Sequence, residues 1–490
     1  MDSNRDLKRK TFSGMIWKFL ERICAQGVSL VISIILARLL MPDDYSVVSI
    51  VTIFFAFCNV LISGGLNTSL IQKKDSDILD YSTILHISMM MAAVLYIVMF
   101  FAAPFISDIY DKEILIPLIR VMGITFFVNA FKGVICAKVS HSMEFRKFFL
   151  ATIVGTVISS VIGVVMAFHG FGPWALVVQQ MSNSIIDTVI LFFATKFRFV
   201  FAISFNRFKS LFKYSWKLFI ASVVSTIYDE AKPLIVGIKF TSADLAFYNK
   251  GASFPSLINS TVSNTMSGVL FPALSKLQDD KNSLLAAVRR YIKVSSFFIF
   301  PLMIGLFVVS DTFVRVVLTE KWMEIVPFMQ IFCICYMFEL IQTGNLQVFK
   351  AMGRTDISLI TEIIKKSVYF VIILVFVLAS ENAIIFAFAN IACTAVATIV
   401  NTYPNRKLLG YKYRYQLSDI SKNLLTSVIM GVCVYFMGFL PVNDLPLLIL
   451  QIFAGIIIYI AISAITKNEN LIYIIDFAKD FLRRGKKKDA

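Results

Sequence analysis

Several ionisable side chains fall inside long apolar runs, where a charge is costly and must face a cavity or a partner. The densest group is YDEAKP, from Tyr228 to Pro233, preceded by SWKLF, from Ser215 to Phe219. Ser225, Asp229 and Lys232 follow helical steps of four and three, so they share a face. Pro233 can loosen the helix there and free a carbonyl. Such a face can hold a substrate or a coupling ion; a local Asp229–Lys232 pair is the other reading. Near the start of the chain Arg22, Gln26 and Ser29 share a face in the same way. Arg22 either lines a cavity or snorkels to the nearby interface, and Lys217 lies at a comparable depth in its own run. Asp187 and Glu339 fall near the middle of theirs. With Glu230 they are candidates for coupling to a Na+ or proton gradient, the alternative being a helix–helix hydrogen bond. Arg120 and Lys132 also lie within a run, while Glu362 and Lys366, four residues apart, can simply support a helix. A cavity lined by Arg and Lys suits an anionic ligand, because guanidinium pairs bidentately with phosphate.

Catalytic chemistry finds no comparable support. No nucleophile–base spacing, phosphate loop or carboxylate pair is recognisable, and every loop is too short to hold a donor and an acceptor. A transporter rather than an enzyme, without a cofactor, is therefore expected. The seven cysteines sit mostly inside apolar runs and read as packing residues, and His86, His141 and His169 are scattered, which argues against a metal site. The net charge of +16 could point to nucleic acid, but Lys and Arg occupy short loops between hydrophobic spans, as in a membrane protein. The chain is 58% hydrophobic and 16% charged, with a mean hydropathy of +0.78, against about 45–50% and 25% in soluble domains.

The elements that position these residues are membrane helices. Runs of about 20–30 residues at ~1.5 Å per residue span a ~30 Å core, and continuous runs such as Val368–Leu378 lack the alternation of a β-barrel. Fourteen spans are expected, at 14–40, 45–70, 82–107, 114–138, 147–168, 173–195, 212–237, 244–273, 288–310, 323–349, 356–379, 382–402, 421–440 and 445–465. The N-terminal MDSNRDLKRK reads as the flank of a retained first span rather than a signal peptide. With that flank cytoplasmic, the same side collects Lys73 and Lys74, five basic residues between Lys196 and Lys213, five between Lys276 and Lys293, and the RRGKKK tail from Arg483 to Lys488. The opposite loops hold only Arg38, Lys112, Lys239, Arg315 and Lys321. This imbalance places both termini in the cytoplasm.

The chain also repeats itself. LARLLMPDDYS, Leu36 to Ser46, resembles GIKFTSADLA, Gly237 to Ala246, and Pro117 in ILIPLIRVMGI matches Pro327 in EIVPFMQIFCI. Two six-span lobes in parallel orientation follow, 1–200 and 201–404, with 405–490 supplying a basic linker, two further helices and the tail.

LARLLMPDDYS, with GLNTSLIQ (Gly65–Gln72), HGFGPWAL (His169–Leu176), LFPALSKLQDD (Leu270–Asp280), LTEKW (Leu318–Trp322) and KAMGRTDISL (Lys350–Leu359), resembles the polysaccharide-transporter branch of the MOP superfamily. That branch comprises Wzx-like and teichuronic- or colanic-acid-type flippases, distantly related to MATE exporters. The resemblance implies an all-α fold with two six-helix lobes in a MATE-like V plus two C-terminal helices. It implies alternating-access transport of an undecaprenyl-diphosphate-linked oligosaccharide across the bacterial inner membrane, for O-antigen, capsule or exopolysaccharide synthesis. Membrane lipid and the polysaccharide polymerase machinery are the partners it implies. The chain departs from the pattern at Ser46 and Ala246, where glycine is common. The competing expectation is a MATE-like, cation-coupled exporter of small amphipathic molecules, which calls for an acidic, aromatic cavity.

Overall fold

Lipid offers backbone groups no hydrogen-bond partner, so a chain of long non-alternating apolar runs satisfies its N–H and C=O groups by winding into helices. The computed structural model describes residues 24–473 apart from 64, 74, 75, 143, 278, 279 and 353. The helices are α1 (Cys24–Leu39), α2 (Pro42–Ser63), α3 (Leu66–Gln72), α4 (Ile78–Tyr110), α5 (Leu115–Met122), α6 (Thr125–Ser142), α7 (Phe145–Phe168), α8 (Pro173–Thr195) and α9 (Phe205–Lys239). They continue as α10 (Ser242–Lys276), α11 (Lys281–Val317), α12 (Ile325–Ala351), α13 (Thr355–Ala379), α14 (Ala383–Ala387), α15 (Ala389–Leu408), α16 (Tyr413–Met437) and α17 (Asp444–Ile465). Every expected span from 45–70 onward coincides with one helix, or with a broken pair at α2/α3, α5/α6 and α14/α15, and the first, 14–40, does so from Cys24, its residues 14–23 lying outside the described residues. Among the described residues ten of these segments are long and apolar enough to cross a membrane. Of the rest, α9, α10 and α13 have the length but carry more polar side chains, and α1 is described only from Cys24.

The chain divides into two compact units after Ala246. α9 falls in the first because it packs along α2, α3 and α4; the lobes drawn above at residues 200 and 404 follow the span repeat instead. In the first unit α7 and α8 form a tightly packed hairpin against α6, over a core that includes Leu70, Ile84, Val134 and Leu191. In the second unit α11 is the hub, contacting α12, α16 and α17, with Phe297, Met430, Val434 and Tyr459 packed between them.

The repeat is visible in the backbone. α1 and α9 each stop two residues before the next helix begins. At the second break Thr241 and Asp244 form a reciprocal cap: the Thr241 N–H donates to Asp244 Oδ2 at 3.0 Å, and the Asp244 N–H donates to Thr241 Oγ1 at 3.1 Å. The first break keeps half of it, the Met41 N–H donating to Asp44 Oδ2 at 2.8 Å. Ser46 and Ala246 are both fully buried just inside the following helix, which accounts for the small side chain in each copy. Pro117 and Pro327 both occupy the third residue of a helix, α5 and α12, where the missing N–H lacks no partner. Gly172, at φ 53°, leads into Pro173 at the start of α8, and a Cβ there would fall 3.0 Å from Asp44 Oδ1. Two of the family-like motifs thus meet at this turn.

Candidate functional site

α9 runs 35 residues with Pro233 inside it. On the polar face read from the sequence, Ser225 Oγ donates to the exposed Asp229 at 3.2 Å. The Lys232 ammonium stands 5.3 Å from the Tyr228 ring centroid, so an aromatic face and a cation share this stretch. Glu230 and Lys232 are half-buried, as is Gln26 on α1. Arg22 lies outside the described residues, and of Lys217 only the backbone, within α9, is described.

Asp187 on α8 is buried, and Lys132 on α6 places its ammonium 2.5 Å from Asp187 Oδ2. An intramembrane carboxylate is thereby matched by a cation from another helix, the usual way such a group is kept charged. Glu339 on α12 is served differently. Asn259 of α10 donates its amide to Glu339 Oε2 at 2.8 Å, and among the described residues no Lys or Arg reaches ion-pair distance of it. A carboxyl held by a neutral amide can take up and release a proton without breaking an ion pair. Glu362 pairs with Lys365, three residues on, at 2.6 Å, where the sequence had offered Lys366.

The structure also brings together groups that the sequence reading counted only as loop charge. Asp77 caps α4, with Asp80 completing a reciprocal capping box. Lys73 lies 2.5 Å from the fully buried Asp80, and Arg207 of α9 hydrogen-bonds Asp77 at 2.5 Å and stands 3.2 Å from Asp80 as an ion pair. Hydrogen bonding from Arg207 holds the Asp77 carboxyl down to about 2. In the second unit Arg289 of α11 grips the buried Asp419 of α16 with two bonds of 2.8 and 2.7 Å, and Tyr411 donates to the same carboxylate at 2.8 Å. Asn345, Asn405 and Gln416, all buried, close an amide network between α12, α15 and α16. An acid in the first turns of each span, opposite the counted basic residues, was the available signal for Asp80 and Asp419.

A family model described as "Polysaccharide biosynthesis protein" matches residues 35–327, a stretch that holds both helix breaks, the Lys132–Asp187 pair and the whole of α9. The chain belongs to the polysaccharide biosynthesis protein family. This polysaccharide biosynthesis protein is 24% identical over 356 residues to the lipopolysaccharide biosynthesis protein WzxC of Escherichia coli K12, covering 72% of each chain. It is 21% identical over 437 residues to the teichuronic acid biosynthesis protein TuaB of Bacillus subtilis 168, covering 88% of this chain and 89% of that one. In fold it is similar to the lipid II flippase MurJ in an inward closed conformation, with a TM-score of 0.74 at 17% identity over 93% of this chain and 98% of the other. All the family-like motifs but KAMGRTDISL fall within the matched stretch, and the protein is a multi-pass, all-helical membrane protein.

Proposed function

We propose that this protein is a flippase that carries an undecaprenyl-diphosphate-linked oligosaccharide from the cytoplasmic to the outer leaflet of a bacterial inner membrane. The single observation that carries the reading is membership of a polysaccharide biosynthesis family by a chain built almost wholly of membrane helices. Such a chain serves polysaccharide assembly most directly by moving its lipid-linked intermediate. WzxC, TuaB and the lipid II flippase support the same reading. The runner-up, an exporter of small amphipathic cations, has less behind it, since the matching family is one of polysaccharide biosynthesis. On this reading the two six-span lobes, 1–200 and 201–404, alternate in access, with the residues at both termini cytoplasmic, and the product passes to a polysaccharide polymerase. Asp187, Glu230 and Glu339 are the residues for coupling to a Na+ or proton gradient. The polar faces of α1 and α9, with Gln26, Asp229 and Lys232, line the route.

The diphosphate brings negative charge into a low-dielectric space, where an unpaired charge costs several kcal/mol. Arg22 and Lys217, at matching depths in the first span of each lobe, supply the compensating charge. Complementation of a flippase-null strain, with membrane abundance checked by immunoblot, tests this. Arg22→Ala abolishes surface polysaccharide, and Arg22→Lys keeps part of it because the bidentate fork is lost. Full complementation by the Arg22→Ala, Lys217→Ala double variant at normal abundance defeats the mechanism.

A further inference from the structure

The first unit contains a polar cavity of about 230 Å³ between α1, α7 and α8. On α7 it is lined by Thr156, Ser159 and Ser160, all buried and spaced by helical steps of three and four. On α8 it is lined by Gln179, Gln180 and Asn183. Thr156 and Asn183 sit at the middle of their helices, so this hydrophilic surface lies at mid-membrane depth, where polar groups are costly unless they serve a ligand or a partner. Among the described residues the amides of these three α8 side chains bond no other protein group, and the buried Ser160 hydroxyl has no partner. The polar stripe of α1 continues from Gln26 through Ser29 to Ser33, and the last two face the same cavity.

The lining contains no Asp, Glu, Lys or Arg. One turn along α8 from Asn183 stands Asp187, already paired with Lys132. Gly155 of α7 lets α8 approach there: a Cβ on it would fall 3.2 Å from Asn183 Oδ1 and 3.3 Å from Asp187 Cβ. The cavity therefore has no net charge to hold an ion, and beside its polar side chains Leu36, Tyr45 and Leu176 supply apolar surface against which the C–H face of a ring can pack. It offers hydroxyls that both donate and accept, and amides that each supply two donors and an acceptor. Its volume is that of roughly eight waters at ~30 Å³ each, below the ~300 Å³ at which drug-sized sites begin, so it suits one small ring rather than a chain.

We propose that this cavity is a subsite for one uncharged sugar ring of the transported head group. The proposal rests on the flippase reading and adds a specificity determinant to it: neutral hexoses are recognised by Thr156, Ser160, Gln179 and Asn183, and acidic sugars are disfavoured because no cation is available to them.

The test is binding to the full-length protein in nanodiscs, using undecaprenyl diphosphate bearing galactose, bearing glucuronic acid, or bearing no sugar. The galactosyl lipid is expected to bind at least tenfold more tightly than the sugarless one and more tightly than the glucuronosyl one. The Thr156→Val, Ser160→Ala, Asn183→Leu variant, or Asn183→Leu alone if the triple variant is not folded, should lose the galactose preference and bind the sugarless lipid as wild type does. Equal wild-type affinity for the galactosyl and sugarless lipids overturns the subsite, as does a preference that survives the substitutions, or glucuronosyl binding as tight as galactosyl. If no diphosphate lipid binds the wild type, the flippase reading itself fails, and the subsite with it.

Discussion

Lys132 and Asp187 meet between α6 and α8 at 2.5 Å, and the energetics of such a pair are asymmetric. Removing one partner strands the other in a low-dielectric interior, at a cost of about 3–5 kcal/mol, whereas replacing both by apolar side chains is often close to neutral. Lys132→Met should therefore lower the thermal unfolding midpoint of the purified protein sharply, and adding Asp187→Leu should restore most of it. A double variant as unstable as the single one would show that the pair is not what holds α6 to α8. The same double variant reads coupling: if Asp187 carries the ion, transport in proteoliposomes should no longer respond to an imposed Na+ or proton gradient even though the fold is recovered. At this scale the sequence showed that Asp187 needed a partner but not which one. A helix's own periodicity orders side chains on its faces, while the choice of facing helix is a tertiary matter. Asp80 and Asp419 were missed for the same reason. Each is paired with a cation from a distant helix, Arg207 and Arg289, that reads in sequence as one more loop charge.

The elements were far more legible than their contacts. Long apolar runs dictate helices in lipid, and 173–195 was placed to the residue as α8. Misjudged edges lie where amphipathic turns extend a helix past its apolar stretch: α9 begins at Phe205 and α11 at Lys281, each seven residues ahead of the expected span. The interruption of α14/α15 leaves the apolar run unbroken and so gave no signal, whereas Gly65, at φ 79°, and Gly123 stand at the α2/α3 and α5/α6 breaks and were signals not used. The helix breaks after α1 and α9 did give one, through the shared aspartate, and they support a comparison inside one molecule. Thr241 completes a capping box that Met41 only half makes. Thr241→Ala should cost about 1 kcal/mol, and Met41→Thr should gain about 0.5–1 kcal/mol, read as opposite shifts of the unfolding midpoint. Equal, unshifted midpoints would mean that neighbouring contacts, not the caps, fix these turns.

For the whole molecule, the topology proposed above would put Lys73, Arg207 and Arg289 on the cytoplasmic side and Asp111, between α4 and α5, on the outer side. Because Cys24 and Cys433 are exposed, the measurement is best made with both replaced by serine. In intact spheroplasts a membrane-impermeant maleimide should label Asp111→Cys and leave Lys486→Cys unlabelled until the membrane is opened. Labelling of Lys486→Cys from outside would overturn the topology, and with it the direction of transport proposed above. On the spans expected from the sequence, the chain crosses six times between the capped turns at Asp44 and Asp244, an even number. A gene segment of that parity, copied in tandem, re-enters the bilayer from the same side as the original. The copy needs no new orienting charges and can serve as a second half from its first generation. A segment of five or seven crossings would have emerged inverted, giving the antiparallel kind of repeat on which other transporter folds are built.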